Sequence, residues 1–277
     1  MTEALDDLVR FAEDHPRLCV LTGAGISTGS GIPDYRDRSG AWKRPAPVQY
    51  RDFLAGHGTR QRYWARSLVG WRWFEQARPN GGHRALACLE RCGRVDRLIT
   101  QNVDRLHQRA GSERVVDLHG RLDRVTCLGC GAMTARASLQ ARLAEENPAF
   151  ARLEAAAGPD GDANVGALDF GAFRVPDCEV CGGILKPDVV FFGEGVPRHR
   201  VVGARTAVLA SDALLVVGSS LMVYSGFRFC RLARDHGLPI AAVNLGRTRA
   251  DELFDLKLHA ECTTALDTLA AALGACA

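Results

Sequence analysis

Short apolar runs recur along the chain, and segments with helical spacing of apolar residues lie between them. Runs of roughly four to eight apolar residues are typical of strands that are buried on both faces. Strands that alternate with helices pack into a parallel sheet covered by helices on both sides. The sequence therefore predicts an α/β fold with a doubly wound parallel sheet. Predicted strands lie at 18–21, 97–100, 115–118, 189–192, 214–217 and 240–243, and predicted helices at 3–14, 83–92, 103–110, 199–210, 225–236 and 263–273.

Small and polar residues follow nearly every predicted strand. In open α/β sheets the ligand lies in the crevice outside the carboxyl ends of the strands. The recurrence therefore indicates one ligand that is held by several loops. The strand-end groups are Gly23-Ala24-Gly25, Gln101-Asn102-Val103-Asp104, His119-Gly120, Gly193-Glu194, Gly218-Ser219-Ser220 and Asn244-Leu245-Gly246.

The first of these loops, residues 22–36, is rich in glycine and hydroxyl side chains. A glycine loop after a buried strand lets backbone N–H groups approach a phosphate. It matches the dinucleotide fingerprint G-x-G-x-x-G imperfectly, because Thr28 stands where the third glycine is expected. A tight strand-to-helix turn without a ligand is the alternative. The loop ends in Pro33-Asp34-Tyr35-Arg36, which adds a carboxylate, a phenol and a guanidinium.

Four of the ten cysteines form two C-x-x-C pairs, Cys127 with Cys130 and Cys178 with Cys181. Four thiolates in two such pairs suit a structural, tetrahedral Zn²⁺ site. Ordinary reduced cysteines and a redox C-x-x-C pair are the alternatives. The pairs are farther apart than the usual spacing of about 15–20 residues, so the intervening residues 131–177 are an insertion, predicted as a helix followed by a mobile loop.

Composition excludes several classes of protein. The net charge of +3 is too small to indicate nucleic-acid binding, and the 131–177 insertion carries more acidic than basic residues. An apolar run long enough for a transmembrane helix is absent from the sequence. The acidic N-terminus has no apolar signal region, so we expect a cytoplasmic protein. Residues 40–80 contain all four tryptophans and read as a helical insertion.

Taken together, these motifs resemble the sirtuin family of NAD-dependent protein deacylases, in family order over roughly residues 18–262. Asp34-Tyr35-Arg36 and the long gap between the cysteine pairs resemble class II members. The resemblance rests on Gly23-Ala24-Gly25-Ile26-Ser27, Pro33-Asp34-Tyr35-Arg36, Thr100-Gln101-Asn102-Val103-Asp104, His119-Gly120, the two cysteine pairs, Lys186-Pro187-Asp188-Val189-Val190-Phe191-Phe192-Gly193-Glu194, Gly218-Ser219-Ser220 and Val243-Asn244-Leu245-Gly246.

The resemblance implies a Rossmann-like NAD-binding domain (1–39, 79–120 and 186–277), a helical insertion (40–78) and a smaller zinc-binding module with a long insertion (121–185). It also implies that NAD is consumed as a co-substrate. The acyl oxygen of an acyl-lysine would attack the ribose carbon that bears nicotinamide. His119 would then act as general base on a ribose hydroxyl, and O-acyl-ADP-ribose would form.

The resemblance also assigns site residues. His119 and Asn102 would be catalytic, Val189, Phe191, Phe192 and Gly193 would bind the substrate peptide as an added strand, and Cys127, Cys130, Cys178 and Cys181 would bind zinc. Tyr63 and Arg66 would bind an acidic acyl group, because arginine pairs with carboxylates; a helix-surface pair is the alternative. Residues expected to bind NAD are Gly23, Ala24, Gly25, Ser27, Asp34, Tyr35, Arg36, Gln101, Asn102, Asp104, Gly218, Ser219, Ser220, Asn244, Leu245, Gly246 and Cys262.

Three other functions stay open at this stage. The same site could transfer ADP-ribose to protein. The chain could instead be an NAD(H)-dependent oxidoreductase or a non-catalytic zinc-ribbon binding module. Expected partners are acyl-lysine proteins or peptides, without nucleic acid or membrane. The oligomeric state stays open.

Overall fold

The computed structural model describes residues 2–43, 47–155, 158, 161–163 and 168–275, with Thr2 described by its backbone alone. The strands are β1 Leu18–Thr22, β2 Val95–Thr100, β3 Val115–Asp117, β4 Gly120–Cys127, β5 Met133–Ala135, β6 Leu185–Val189, β7 Ala213–Val217, β8 Ile240–Val243 and β9 Leu256–Leu258. The helices are α1 Thr2–Asp14, α2 Tyr50–Ala55, α3 His57–Gln76, α4 Gly81–Arg91, α5 Leu106–Arg109, α6 Arg136–Glu146, α7 Pro148–Ala151, α8 Arg198–Leu209, α9 Tyr224–Asp235 and α10 Cys262–Ala272, with 3₁₀ turns at Ala24–Ser30 and Asp251–Leu253.

The main sheet has the order β3-β2-β1-β7-β8-β9, and all of its pairings are parallel. The strand order reverses between β1 and β7, which is where ligands bind in doubly wound sheets. The predicted α/β fold with a doubly wound parallel sheet is confirmed. The short β9 at one edge was not predicted, because its three residues are too few for a clear pattern.

Helices cover both faces of this sheet. Apolar side chains of α1, α4 and α10 form the core on one face, and those of α8 and α9 form the core on the other. All residues of β1, β7 and β8 are buried. Burial on both faces explains why these strands read as continuous apolar runs rather than as alternating ones.

The prediction of a parallel-sheet strand at 189–192 was wrong. The strand there is β6, which ends at Val189 and pairs antiparallel with β4. Together with β5 these strands form a separate three-stranded sheet. The apolar residues that follow β6 are buried against the module instead, since Phe191 packs in the core with Phe53 and Tyr63. A segment that is buried without pairing in a sheet can have the same run of apolar residues as a buried strand, and this explains the wrong prediction.

The smaller module consists of this antiparallel sheet, the two helices α2 and α3 of the predicted helical insertion, and the helices α6 and α7. Their shared apolar core includes Trp64 and Leu143. Arg136 of α6 is fully buried and lies 4.9 Å from the Trp71 ring of α3. The helix predicted within 131–177 is confirmed by α6, and the loop predicted to follow it falls partly outside the described residues.

Within the described ranges, the helices are all too short or too polar to span a bilayer. The cleft between the main sheet and the smaller module runs along the carboxyl ends of the parallel strands. Loops from both units line it.

Two glycines with similar backbone angles test how tightly the strand ends are packed. Gly218 has φ +60, and a Cβ there would lie 2.5 Å from the Ile26 amide nitrogen; Gly237 has φ +70 and nothing within 4 Å. Alanine at either position costs about 1–2 kcal/mol of backbone strain. We expect Gly218→Ala to lose about 1–3 kcal/mol more than Gly237→Ala, because it also overpacks. Urea unfolding measures both, and equal losses would contradict a tight contact at Gly218.

Candidate active site

One cavity of about 740 Å³ lies at the carboxyl ends of the main strands, and its volume suits a bound small molecule. Every residue that the sequence predicted to be catalytic or to bind NAD lines this cavity. The predicted peptide-binding residues line it as well, and so does Tyr63. Arg66 alone among the predicted non-metal site residues does not.

Two glycine loops meet at the floor of the cavity. The Gly25 amide donates a hydrogen bond of 2.8 Å to the Gly218 carbonyl. A Cβ at Gly23 would lie 2.7 Å from the Ser219 Cβ, and a Cβ at Gly25 would lie 2.8 Å from the Gly218 oxygen. Bare backbone is therefore required where the β1 and β7 loops cross. With no side chains in the way, a diphosphate could approach these loops closely.

Asp34, Tyr35 and Arg36 form a flap over the cavity. Asp34 is ion-paired with Lys43. The Arg36 guanidinium lies 3.9 Å from the Trp42 ring and donates a hydrogen bond of 2.7 Å to the Gly40 carbonyl. These contacts fold the flap back on itself.

An aromatic cluster joins this flap to the predicted peptide-binding segment. Tyr35 and Trp42 both make edge contacts with the Phe192 ring, at centroid distances of 6.2 and 5.5 Å. The two regions are therefore in direct contact.

Asn102 is held in one orientation by its neighbours. Its side-chain nitrogen donates to the Gly23 carbonyl and to the Ser27 hydroxyl, both at 3.0 Å. Because a carbonyl only accepts, the nitrogen must face Gly23, and the amide oxygen is left for a ligand. Ser27 in turn donates 2.7 Å to the Asp104 carboxylate. Burial raises the pKa of Asp104, partly offset by hydrogen bonds from Leu106 and Ser27.

His119 follows β3 and is fixed from two sides. Its Nδ1 lies 3.0 Å from the Gln101 carbonyl, and its Nε2 lies 2.7 Å from the Ser225 hydroxyl. Burial lowers the pKa of His119 to about 4. The hydrogen bond to the Gln101 carbonyl partly offsets this shift in pKa, and the charges of Arg200 and Arg228 add to it. The imidazole is therefore neutral at pH 7 and can accept a proton.

Two buried histidines beneath the glycine loop were missed by the sequence reasoning. The rings of His83 and His107 lie 4.8 Å apart, and each is at most 1% exposed. His83 lies 3.4 Å from the Ser27 hydroxyl, and His107 lies 3.0 Å from Thr22. They connect the core to the groups that orient Asn102. Only His83 had a local signal, since it follows Asn80 with the spacing of a helix capping box.

Ser225 and Arg228, both on α9, also line the cavity without having been predicted. They lie three residues apart and therefore share one face of the helix. Ser225 ends the run 218–225, which resembles class II members, but the resemblance assigned it no role, and Arg228 had no signal in the sequence.

Asn244 and Cys262, two of the residues predicted to bind NAD, line the cavity from the loop after β8 and from α10. The Asn244 side chain donates 3.0 Å to the Gly246 carbonyl. Cys262 is 5% exposed and packs under Gly218 at the start of α10. Burial raises the pKa of this thiol to about 12, so it is a neutral wall of the cavity rather than a nucleophile.

Tyr63 and Arg66 occupy different environments. Tyr63 is 6% exposed and packs against Phe53 and Phe191. Arg66 pairs with Asp162 at 2.6 Å, and its Nε donates 3.0 Å to the Ala163 carbonyl. The charge of Arg66 is therefore already neutralised by the 131–177 insertion.

The four predicted metal ligands converge on one point. All four sulfur atoms lie within 4.8 Å of one another, and two of the pairs are 3.5 and 3.8 Å apart. Ligands at about 2.3 Å from a tetrahedral Zn²⁺ lie about 3.8 Å apart, so the set fits zinc. The site has four protein ligands and no position for a substrate, which makes it structural.

Comparisons with known proteins agree with this geometry. The model of the Sir2 family matches residues 23–225. The chain is 59% identical to "NAD-dependent protein deacetylase 2" of Bradyrhizobium diazoefficiens over 95% of this chain and 96% of that one. It is 53% identical to "NAD-dependent protein deacetylase 1" of Streptomyces coelicolor, with 92% and 85% covered. A solved structure described as "Sir2-p53 peptide-NAD+" has a TM-score of 0.76 and 28% identity, and 98% of each chain is covered.

The cysteine cluster predicts how the protein responds to loss of one ligand. We expect the wild type to carry one zinc ion per chain, and Cys178→Ser to lose it and to become protease-sensitive within residues 121–185, because structural zinc stabilises the fold around it. Elemental analysis and limited proteolysis measure this. Cys92→Ser, an exposed change outside the cluster, is the control. Full zinc content in Cys178→Ser would contradict the assignment.

The buried histidine pair predicts a loss of stability in acid. Burial lowers the pKa of His83 to about 4 and that of His107 well below its ordinary value. Between about pH 6.5 and pH 4 the unfolded chain therefore binds more protons than the folded one, and stability falls as the pH falls. We expect His107→Gln to flatten this dependence by about 1.4 kcal/mol per pH unit.

Denaturant unfolding at a series of pH values measures the slope. His199→Gln, an exposed change on α8, controls for the removal of a histidine as such. Parallel slopes for the wild type and His107→Gln would show that the His107 ring does not resist protonation.

Proposed function

The chain belongs to the Sir2 family, and on that premise we propose that it is an NAD-dependent protein deacylase that uses the cavity described above. NAD, when bound, supplies an electrophilic ribose carbon with nicotinamide as leaving group. The relatives named as NAD-dependent protein deacetylases support this activity, and so does a related structure that is described as holding both a peptide and NAD.

The glycine loops and the flap would hold NAD across the sheet's switch point. Gly23, Gly25 and Gly218 would leave room for the diphosphate beside the loops, because none of them carries a side chain. The part of the cavity near Asn244 and Cys262 would take the adenosine half. The amide oxygen of Asn102 faces the other half, where the bond to nicotinamide breaks. Breaking that bond needs positioning and polar stabilisation more than a protein nucleophile.

One observation carries the catalytic assignment: His119 is neutral, and its unprotonated Nε2 lies at the cavity wall in contact with the Ser225 hydroxyl. A general base needs a nitrogen that is unprotonated at the working pH and a fixed orientation. The lowered pKa meets the first requirement, and the Gln101 carbonyl meets the second. His119 would take the proton of the ribose hydroxyl that attacks the acyl carbon.

The protein substrate would bind along the segment that follows β6. Its inner side is already paired, because the Val190 amide donates to the His119 carbonyl and the Phe192 carbonyl accepts from the Tyr50 amide. Val189, Phe191, Phe192 and Gly193 line the cavity. An extended acyl-lysine peptide would add to this backbone as a further strand, in exchange for the hydrogen bonds that Phe191 now makes with Glu194. The acyl-lysine would thereby reach the site from the side of the smaller module.

Tyr63 and Arg66 bear on whether the acyl group of the substrate is acidic or neutral. The pairing of Arg66 with Asp162 weighs against an acidic acyl chain, because a substrate carboxylate would have to displace a carboxylate of the protein. The buried Tyr63 ring offers an apolar wall instead. We therefore propose a neutral acyl group, and parallel assays of acetyl-lysine and succinyl-lysine peptides would test this choice.

Two further proposals concern the whole chain. We propose a cytoplasmic location. We also propose three domains: an NAD-binding domain that comprises 1–39, 79–120 and 186–277, a helical insertion at 40–78 and a zinc-binding module at 121–185.

The His119 assignment predicts a specific loss. With an acetyl-lysine peptide and NAD, we expect the wild type to release nicotinamide and O-acyl-ADP-ribose, and His119→Ala to lose product formation by about 10²–10⁴-fold, the usual contribution of a general base. His199→Ala is the matched control. Mass spectrometry of the peptide and product measures the outcome.

Three other results would each point elsewhere. A gain of mass on the target protein would indicate ADP-ribosyl transfer. Absorbance at the NADH band without free nicotinamide would indicate an oxidoreductase. A His119→Ala protein that keeps the full biological effect of the wild type would indicate a non-catalytic binding module.

A further inference from the structure

Ser225 contacts the proton-accepting atom of His119. Its hydroxyl lies 2.7 Å from His119 Nε2, its side chain is 9% exposed, and it lines the same cavity. Ser225 lies in the first turn of α9, on a different element from every residue assigned so far to the chemistry.

The direction of this hydrogen bond follows from the other side of the ring. The Gln101 carbonyl can only accept, so His119 Nδ1 carries the proton and Nε2 carries the single in-plane lone pair of the neutral imidazole. The Ser225 hydroxyl therefore donates to Nε2. A second donor reaches that lone pair only if Ser225 moves away.

The packing of α9 keeps Ser225 in place. The next residue, Gly226, lies against the Gln101 carboxamide so closely that a Cβ would collide with it. The Gln101 side chain is itself anchored to Ser219 at 2.7 Å. One contact between the β2 loop and α9 therefore fixes both hydrogen-bond partners of His119.

We propose that Ser225 is a proton relay, through which His119 takes the proton of the substrate hydroxyl; this inference rests on the proposed deacylase function. The Ser225 Oγ is an acceptor as well as a donor, so it can receive one proton while it gives another. Ser225 and His119 both line the cavity in which the substrate hydroxyl would lie.

The O–H bond of the ribose hydroxyl breaks and its proton joins Ser225 Oγ, while the Ser225 proton moves to His119 Nε2. The ribose oxygen keeps the bonding pair and forms a bond to the acyl carbon, while the bond between that carbon and the lysine nitrogen breaks and its electron pair goes to the nitrogen. His119 becomes an imidazolium whose Nδ1 still donates to Gln101, and its added proton passes back through Ser225 Oγ to the lysine nitrogen, which leaves as the amine.

The charges around the ring favour that return. Arg200 on α8 and Arg228 on α9 are the charged groups that act on His119, and both oppose a positive imidazole. Arg200 is itself paired with Asp188 at 3.0 Å, which reduces its effect. The imidazolium is therefore a short-lived state, as a general base that must also return its proton requires.

The test compares Ser225→Ala, which removes the hydroxyl, with Ser225→Thr, which keeps it. We expect Ser225→Ala to lower O-acyl-ADP-ribose formation by about 10-fold or more, since a general base contributes about 10²–10⁴-fold. Exchange of labelled nicotinamide into NAD should stay close to wild type, because that partial reaction precedes the need for a base. Ser225→Thr should restore product formation.

A second measurement needs no NAD. The ¹⁵N spectrum of the free protein should show His119 with Nδ1 protonated, and the Nε2 signal should shift in Ser225→Ala as its hydrogen bond is lost. An unchanged Nε2 signal would overturn the contact on which the relay depends.

Two kinetic results would overturn the relay itself. Product formation by Ser225→Ala at or above the wild-type rate would mean that the hydroxyl only covers Nε2. An equal fall in nicotinamide exchange and product formation would mean that Ser225 merely supports the shape of the site. Absence of nicotinamide release by the wild type would instead refute the deacylase function, while the spectrum would still report on the contact between Ser225 and His119.

Discussion

The hydrogen bond between the Gly25 amide and the Gly218 carbonyl holds together the two strand ends at which the main sheet changes direction. The distance of 2.8 Å is possible only because neither residue carries a side chain. The β1 loop therefore turns at once into its 3₁₀ turn, and Ser27 comes to lie beside Asn102 and Asp104. If the loops were separated by the width of a methyl group, Asn102 would lose the Gly23 carbonyl that orients it.

Beneath this contact lies a layer of buried polar groups that an apolar core would not need. Ser27 accepts from Asn102 and donates to Asp104, which ties the glycine loop to the loop after β2. His83 and His107 lie below it, both kept neutral by burial. Because unpaired buried polar groups are costly, such a layer has few alternative arrangements. The same groups that make the site rigid therefore make the fold sensitive to acid.

Much of this could be predicted from the sequence, and the limits have physical causes. Buried parallel strands produce continuous apolar runs, so β1, β7 and β8 were predicted, and the spacing of Cys127 and Cys130 identified a metal ligand pair. The run at 189–192 misled, because a segment buried against the smaller module has the same composition as a buried strand. Ser225 and His107 were not predicted, since their roles depend on partners such as His119 and Thr22 that are distant in the chain.

The aromatic cluster of Tyr35, Trp42 and Phe192 is a further contact between segments that are distant in the chain. Tyr35 belongs to the flap that is proposed to contact NAD, and Phe192 belongs to the segment where a peptide would add. The Phe192 carbonyl is also held by the Tyr50 amide of the helical insertion. A peptide that fixes Phe192 would therefore fix one side of the flap as well. NAD is consumed in each turnover, so its reaction with water would waste it. The contact between Tyr35 and Phe192 would make closure of the flap over NAD depend on a bound acyl-lysine peptide, and it would thereby limit this loss.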